Sequence, residues 1–340
     1  MANYAILVAI TDYPGLRNLE GPENDVGDFQ QWLVATDGGN LKPDNVKIIK
    51  SSDFPKVTDP GQANPTEVAF KEALKKLLFN EDGSFKGHAG ERLYLFFAGH
   101  GFAGRRLSEA ALYTANATRN DCVHIASKRY VERIASSRAF DEVVLLMDCC
   151  RDVDLSDSIQ EPVLKLPDRA QIDGAASVFE AYAAGRGQQA RERSITPGGP
   201  SRGLFTYAFV DALRNARGDD EGNVTGTLVK GHILDNWPKL FTGTVPYWPD
   251  IYPPGGADIV FVKGRVPPAV KVSFIINPPQ PQAGTMIVIQ NPPGTEVKRV
   301  AFNPAGTETS LPDGIYKALL NTTTRSAYID AAGSSVEVSL

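Results

Sequence analysis

Short apolar runs alternate with helical patterns in the first half of the chain. The apolar runs are almost continuous and rich in β-branched or aromatic residues, which is typical of strands buried on both faces of a parallel sheet. The segments between them place apolar residues at helical spacing. This alternation predicts a doubly wound α/β layer. The predicted strands are YAILVAI (4–10), RLYLFFA (92–98) and EVVLLMD (142–148), and the predicted helices span 23–36, 64–79 and 127–137.

The pattern changes twice further along the chain. A segment rich in Asp and Pro follows Cys150, and it leads to a candidate strand at 176–184 and an apolar-periodic helix at 203–216. From residue 265 onward, short alternating runs are separated by Pro-Pro, Pro-Gly and Asp-Gly. Such runs favour a small all-β sandwich. We therefore expect an α/β domain at 1–262 and a β-sandwich accessory domain at 265–340, consistent with a length of 340 residues.

Composition and charge limit the kinds of partner that the protein is expected to bind. The formal net charge is −5, with 42% hydrophobic and 22% charged residues, as in an ordinary soluble globular protein. No basic patch indicates nucleic acid or a membrane surface as a partner. The N-terminal apolar run is far shorter than the ~20 residues of a membrane helix and lacks a basic leader. With three cysteines and no disulfide framework, the expected location is the cytoplasm.

Two of those cysteines, Cys149 and Cys150, stand side by side just after the third predicted strand. Free cysteines are commonly small buried hydrophobes, but this edge of an open α/β sheet is where ligands bind. His100 also follows the end of a predicted strand, 50 residues before Cys150. That separation matches the base-to-nucleophile spacing of one cysteine-peptidase family. An adjacent imidazole can deprotonate a thiol or stabilise its thiolate, so the pattern indicates nucleophilic chemistry.

Four segments stand out as motifs: YAILVAITDYPGLRNLEGPENDV, LYLFFAGHGF, VVLLMDCCRD and SRGLFTYAFVDAL. They resemble successive motifs of the caspase-like cysteine peptidases, and the resemblance is closest to the metacaspases and bacterial orthocaspases. It covers about residues 4–262 and implies a caspase-like, mostly parallel sheet flanked by helices. In that family the nucleophile stands two residues after the Asp that closes the strand, which implies Cys150 as nucleophile and Cys149 as a buried neighbour.

The same resemblance implies roles for the other site residues. His100 would be the general base and acid, and the backbone N–H groups of Gly101 and Cys150 would form the oxyanion hole. Strand geometry agrees with the nucleophile, because residues two apart share a face and Asp148 can point into the same site as Cys150.

Asp25 and Asp148 match the two carboxylates that give metacaspases a basic specificity pocket. Such a pair would form charge-assisted hydrogen bonds with an arginine side chain. The structural alternative is that Asp25 caps or begins a helix and that Asp148 is a hydrogen-bond acceptor at a strand end. Two departures leave the choice between Arg and Lys open: Pro22 stands where the family often has Cys, and Ala98 where it often has Ser.

The resulting hypothesis is a thiol protease, an arginine-specific endopeptidase with protein or peptide substrates. Self-processing would use basic residues of the same chain, which are otherwise ordinary solvated charges. The alternative is an inactive caspase-like scaffold whose β-sandwich binds a partner. That domain weakly resembles PEGA-like or transthyretin-like modules, which implies a regulatory protein partner. The candidate self-cleavage residues are Lys165, Arg169, Arg186, Arg191 and Arg193.

No cofactor is required by the sequence. Asp152, Asp154 and Asp157 echo a calcium loop but lack the Gly and Glu that should follow in register, so calcium dependence stays open. Cys122 and His124 lack zinc-site spacing with the cysteine pair.

Overall fold

The computed structural model describes residues 2–105, 109–153, 159–219, 221–265, 269–277, 281, 284–292, 294–312, 314–322, 324–331 and 335–340. The chain divides into two compact units, Met1–Gly264 and Arg265–Leu340. Among the described residues no helix has both the length and the apolar character needed to span a membrane.

The first unit alternates strands and helices. Its strands are β1 (Asn3–Ala9), β2 (Val46–Lys50), β3 (Gly90–Ala98), β4 (Gly101–Ala103), β5 (Ala111–Tyr113), β6 (His124–Ile125), β7 (Phe140–Asp148), β8 (Asp152–Val153), β9 (Ser177–Tyr182), β10 (Glu192–Ser194), β11 (Ser201–Gly203), β12 (Val224–Thr225), β13 (Asp250–Tyr252) and β14 (Val260–Val262). Its α-helices are α1 (Pro22–Val34), α2 (Glu67–Leu78), α3 (Ser127–Ser137), α4 (Ala170–Asp173), α5 (Leu204–Asn215) and α6 (Gly226–Asn236), with 3₁₀ turns at Pro43–Asn45, Ser51–Asp53, Pro60–Gln62 and Trp237–Leu240.

A six-stranded sheet forms the centre of this unit, in the order β13-β9-β7-β3-β1-β2. All neighbours pair in parallel except β13, which runs antiparallel to β9. Alternate residues of each strand enter two different cores: Phe96 packs with α1 and α5, whereas Phe97 packs with α2 and α3. Helices therefore cover both faces, which is why the strands are nearly continuously apolar. The predicted α/β class with a mostly parallel sheet is confirmed.

The strand register positions the candidate site. Ala9 pairs with Ala98, and Ala98 pairs with Asp148, so β1, β3 and β7 end level with one another. His100 and Cys150 each lie two residues beyond the paired ends of β3 and β7. Parallel strands with this register bring the two residues to the same edge of the sheet.

Two smaller sheets stand beyond that edge. One has the order β6-β5-β4-β8 and continues from β3 and β7. The other is the hairpin of β10 and β11, in which Glu192 pairs with Gly203. Both build on loops that leave the carboxyl ends of the main strands.

The second unit is all β. Its strands are β15 (Ala269–Ile275), β16 (Met286–Gln290), β17 (Glu296–Ala301), β18 (Thr307–Pro312), β19 (Gly314–Leu320), β20 (Ser326–Ala331) and β21 (Ser335–Ser339). They form two sheets, β18-β15-β21 and β17-β16-β19-β20. Val272 of the first sheet and Ile287 and Ile329 of the second share one buried core. All neighbours pair antiparallel except β15 and β21.

Candidate active site

A cleft of about 970 Å³ opens at the carboxyl edge of the central sheet. All five side chains or backbone groups singled out from the sequence line it: Asp25, His100, Gly101, Asp148 and Cys150. They come from three parts of the chain: α1, the segment that follows β3, and the end of β7 with the loop beyond it. The fold therefore gathers the candidate residues in one place.

His100 is held at three points. Its backbone N–H donates to the Tyr13 hydroxyl (3.0 Å), and its carbonyl accepts from the Tyr113 N–H (2.9 Å). Its ring Nε2 lies 2.7 Å from the Arg17 carbonyl oxygen. A carbonyl can only accept, so Nε2 carries the proton and Nδ1 carries the free lone pair of the neutral ring. The basic nitrogen of His100 is therefore Nδ1.

The electrostatics of the half-buried pair favour the uncharged forms. Burial lowers the pKa of His100, although the Arg17 carbonyl opposes this. Burial also raises the pKa of Cys150 to about 11, helped by the charges of Asp152 and Asp148. The Cys150 thiol contacts the Ala190 carbonyl, with 3.8 Å between Sγ and O. These shifts favour a neutral thiol and a neutral imidazole lining the same cleft, which suits general-base activation of the thiol.

Cys149 belongs to the core. It is 2% exposed and packs in the cluster on the α2 and α3 face. Burial, first of all, raises its pKa well above the usual range. Because a nucleophile must reach substrate as a thiolate, this buried thiol is the less suitable of the two cysteines.

Gly101 is fixed by close packing. A Cβ at this position would lie 2.5 Å from the Cys149 Sγ and 2.9 Å from the Ala111 carbonyl oxygen. Since the Tyr113 N–H donates to the His100 carbonyl, Gly101 and Leu112 form a non-hydrogen-bonded pair of β4 and β5. The Gly101 N–H is therefore outside that ladder, and Gly101 lines the cleft. It is available as an oxyanion donor.

We expect Gly101→Ala to lower turnover on the order of 10²–10³-fold, because the added Cβ pushes the N–H away from the position of the oxyanion. The measurement is hydrolysis of a fluorogenic peptide, with the folded fraction checked by circular dichroism. Gly27→Ala is the matched control, since Gly27 lies in α1 with open space around its Cβ. It should keep full activity and gain about 0.5–1 kcal/mol of stability. A fully active Gly101→Ala protein would exclude this donor.

Asp25 and Asp148 meet at the start of α5. Asp25 is 2% exposed, and its two oxygens accept from the Gly203 N–H at 2.9 and 3.1 Å. Asp148 Oδ2 accepts from the Thr206 N–H (2.9 Å) and hydroxyl (2.6 Å). Its other oxygen, Oδ1, accepts no hydrogen bond from any described residue. The structural alternative therefore holds for both carboxylates, since each accepts hydrogen bonds at the start of α5.

A third carboxylate, Glu192, was missed by sequence reasoning. It lines the same cleft, and its two oxygens accept from the Gly21 N–H (2.8 Å) and the Glu20 N–H (3.2 Å). In the sequence Glu192 lies between two arginines, so the segment looks basic. Only the pairing of Glu192 with Gly203 in the β10–β11 hairpin shows that it stands beside Asp25.

The pocket acids interact. Burial, and next the charge of Asp148, raise the pKa of Asp25 well above its usual range. Burial raises the pKa of Asp148 to about 6 despite its two bonds from Thr206, and the Glu192 charge adds to the rise. The N–H groups at the starts of α1 and α5 offset part of this cost. Like charges in a partly desolvated pocket favour a cationic ligand.

The two residues that depart from the metacaspase motifs, Pro22 and Ala98, lie in different places. Pro22 lines the cleft, whereas Ala98 is fully buried in β3 and is not among the lining residues. Arg151 is buried, pairs with Asp250 (2.8 Å) and lies over the Tyr182 ring at 4.3 Å. This ion pair joins β13 to the residue that follows Cys150.

The candidate self-cleavage residues differ in accessibility. Lys165 and Arg169 are exposed. Arg186 donates to the Gly104 carbonyl (2.6 Å), and Arg193 donates to the Leu240 carbonyl. The Arg191 side chain is at the cleft.

In the part of the chain that the structure describes, no group of three or more His, Cys, Asp or Glu residues is arranged to hold a metal ion. Asp152 is exposed at the cleft. Asp154 and Asp157 of the calcium-loop pattern lie outside the described residues.

No protein-family model matches the chain, and no curated protein matches it. Among solved structures, caspase-1 from Spodoptera frugiperda is similar in backbone course, with a TM-score of 0.47 and 13% sequence identity. The similarity covers 77% of this chain and 90% of that one.

Proposed function

We propose that this protein is a caspase-like cysteine endopeptidase that cleaves after arginine, with lysine as the second candidate residue. The observation that carries the proposal is one cleft that is lined by His100, Cys150 and four carboxylates, three of which, Asp25, Asp148 and Glu192, are grouped around Gly203. The motif resemblance of residues 4–262 supports the same chemistry. Both halves of the function, bond cleavage and recognition of a cation, need only residues of this cleft.

In the proposed reaction His100 Nδ1 takes the proton of the Cys150 thiol as Sγ attacks the carbonyl carbon of the scissile peptide. The oxyanion accepts hydrogen bonds from the N–H groups of Gly101 and Cys150. The C–N bond then breaks, and the leaving amine takes the proton from His100. The same imidazole then deprotonates a water molecule, which attacks the thioester carbonyl carbon. As the C–S bond breaks and the acid product leaves, the protonated imidazole returns the proton to the Cys150 sulfur.

Recognition would use the free oxygen of Asp148 together with the charge of Glu192. A guanidinium presents five N–H donors in a planar fork, which suits several acceptors around one pocket. Entry of a cation relieves the repulsion among the carboxylates. It also favours the ionised form of Asp148, whose pKa in the free enzyme is raised to about 6.

The first test is hydrolysis of two fluorogenic peptides that differ only in having arginine or its neutral isostere citrulline before the dye. We expect the arginine peptide to be cleaved. The ratio of its kcat/KM to that of the citrulline peptide should rise as the pH rises through about 6, because Asp148 loses its proton there. Titration of His100 affects both peptides and cancels in the ratio.

Asp148→Asn is the control for this pH dependence. Asn keeps an oxygen for the Thr206 bonds but has no charge to gain, so the ratio should be smaller and flat near pH 6. Cleavage of neither peptide by the wild-type protein would contradict the proposed function. Equal cleavage of both peptides at every pH would contradict a pocket that selects a basic residue.

A further inference from the structure

Tyr13 lies behind the candidate base and has no part in the reaction described above. Its side chain is 1% exposed. The phenol ring packs against the His100 imidazole, with 4.8 Å between the ring centroids. A buried tyrosine normally has a hydrogen-bond partner for its hydroxyl. Here the hydroxyl has two, the backbone N–H of His100 and the backbone carbonyl of Tyr113 in β5.

The Tyr13 hydroxyl closes a small network. It accepts from the His100 N–H (3.0 Å) and lies 3.3 Å from the Tyr113 carbonyl oxygen, to which it donates. The Tyr113 N–H in turn donates to the His100 carbonyl (2.9 Å). Burial raises the pKa of Tyr13 above its usual range, so the hydroxyl keeps the proton that this donation needs. One hydroxyl thus ties the backbone of His100 to β5.

The same segment also reaches the imidazole ring. A turn closes from the Leu16 N–H to the Tyr13 carbonyl (3.1 Å), and the Tyr13 N–H donates to the Asn18 side chain (2.8 Å). This turn presents the Arg17 carbonyl to His100 Nε2 at 2.7 Å. The backbone and the ring of His100 are therefore held by opposite ends of a single segment, residues 13–18.

Local sterics show how tightly the hydroxyl is fitted. Gly99 has a φ of +154°, and a Cβ on it would lie 2.5 Å from the Tyr13 hydroxyl oxygen. Residues with a side chain rarely adopt this backbone conformation, and no space is left here for a Cβ. The glycine before the histidine is therefore matched to the phenol, in addition to any role of the glycine that follows.

We propose that Tyr13 is a positioning residue for His100: through its hydroxyl and the turn to Asn18 it fixes the imidazole with Nε2 on the Arg17 carbonyl and Nδ1 available as base. The proposal rests on the proposed peptidase function for its kinetic consequence. The position and tautomer of the ring are properties of the protein alone and can be measured without a substrate.

The test combines Tyr13→Phe with ¹⁵N-histidine NMR and kinetics on the arginine peptide. In the wild type His100 should show a single tautomer protonated at Nε2. In Tyr13→Phe we expect a mixture of tautomers and a fall in kcat of about 10- to 100-fold with little change in KM, because a misplaced base slows chemistry more than binding. The acid limb of kcat should move to higher pH as the loosened ring gains water, since burial lowers the pKa of His100.

Tyr130→Phe is the matched control. Tyr130 is fully buried, and its hydroxyl donates to Glu67 at 2.7 Å, away from the cleft. It should leave the His100 tautomer and kcat at wild-type values. If Tyr13→Phe does not fold, Asn18→Ala removes the partner of the Tyr13 N–H at an exposed position and should shift both readouts in the same direction.

A folded Tyr13→Phe or Asn18→Ala protein with the wild-type tautomer and kcat would overturn the proposal. If the wild type cleaves no peptide, the proposed function fails, and the tautomer measurement still decides whether Tyr13 positions His100.

Discussion

Cys150→Ala should abolish hydrolysis of the arginine peptide, whereas Cys149→Ala should retain most of it. Both cysteines border the cleft beyond the end of β7, but Cys150 is only half-buried, whereas Cys149 is 2% exposed and packs in the core. Without the Cys150 sulfur no thioester can form, and the remaining oxyanion donors have no nucleophile to assist.

The comparison of the two cysteines needs a stability control. Cys149→Ala removes a buried sulfur beside Gly101 and should cost on the order of 1 kcal/mol of folding stability, visible as a lower melting temperature. Cys150→Ala should melt close to the wild type, because its side chain is only half-buried. When the wild-type protein is treated with iodoacetamide, mass spectrometry should find Cys150 alkylated and Cys149 not. An active Cys150→Ala protein with a dead Cys149→Ala protein would reverse the assignment.

The sequence was most informative where one strong pattern decides the outcome. The runs at 92–98 and 142–148 are buried on both faces, and they form β3 (Gly90–Ala98) and β7 (Phe140–Asp148) as predicted. Since parallel strands bring their carboxyl ends together, the proximity of His100 and Cys150 to one sheet edge followed from these two strands. The structure adds the register, Ala98 opposite Asp148, that makes the two residues level.

Weak local patterns were missed. Helix α6 (Gly226–Asn236) has Thr225 as its N-cap, and the Thr225 hydroxyl accepts from the Leu228 N–H at 3.4 Å. That cap is a recognisable start signal, but the helix contains two glycines and has only a faint apolar stripe. Strand β13 (Asp250–Tyr252) has three residues and depends on pairing with β9. Such elements are decided by tertiary contacts rather than by their own residues.

Long-range hydrogen bonds account for the site contacts that sequence reasoning missed. Glu192 bonds to Gly21, 171 residues away, and Asp25 to Gly203, 178 residues away. No local pattern encodes either contact. The contact of Tyr13 with the His100 N–H is equally hard to predict from the sequence, since it spans 87 residues. The identity of these residues is visible in the sequence, but their common location is a property of the folded chain.

The charge of the residue before the scissile bond should determine whether a peptide is cut. In a positional-scanning library we expect Arg and Lys to be accepted and Asp to be rejected on the order of 10³-fold or more, since like charges across a desolvated site cost several kcal/mol. Asp25, Asp148 and Glu192 line the pocket, and burial, together with the neighbouring negative charges, already raises the pKa of Asp25 and Asp148. An acidic side chain would add a further like charge, whereas a basic one removes the repulsion.

Glu192→Gln tests the pocket with the least structural disturbance, because Gln keeps an oxygen acceptor for the Gly21 N–H. It should raise KM for the arginine peptide and shrink the preference over citrulline, with kcat for citrulline unchanged. Asp148→Asn combined with Glu192→Gln should remove most of the remaining preference. Glu81→Gln changes the net charge equally at an exposed position, and it should leave selectivity at the wild-type value. If the library selects Asp or an apolar residue, the carboxylates serve only to brace α1 and α5, and the specificity assignment falls while the roles of His100 and Cys150 stand.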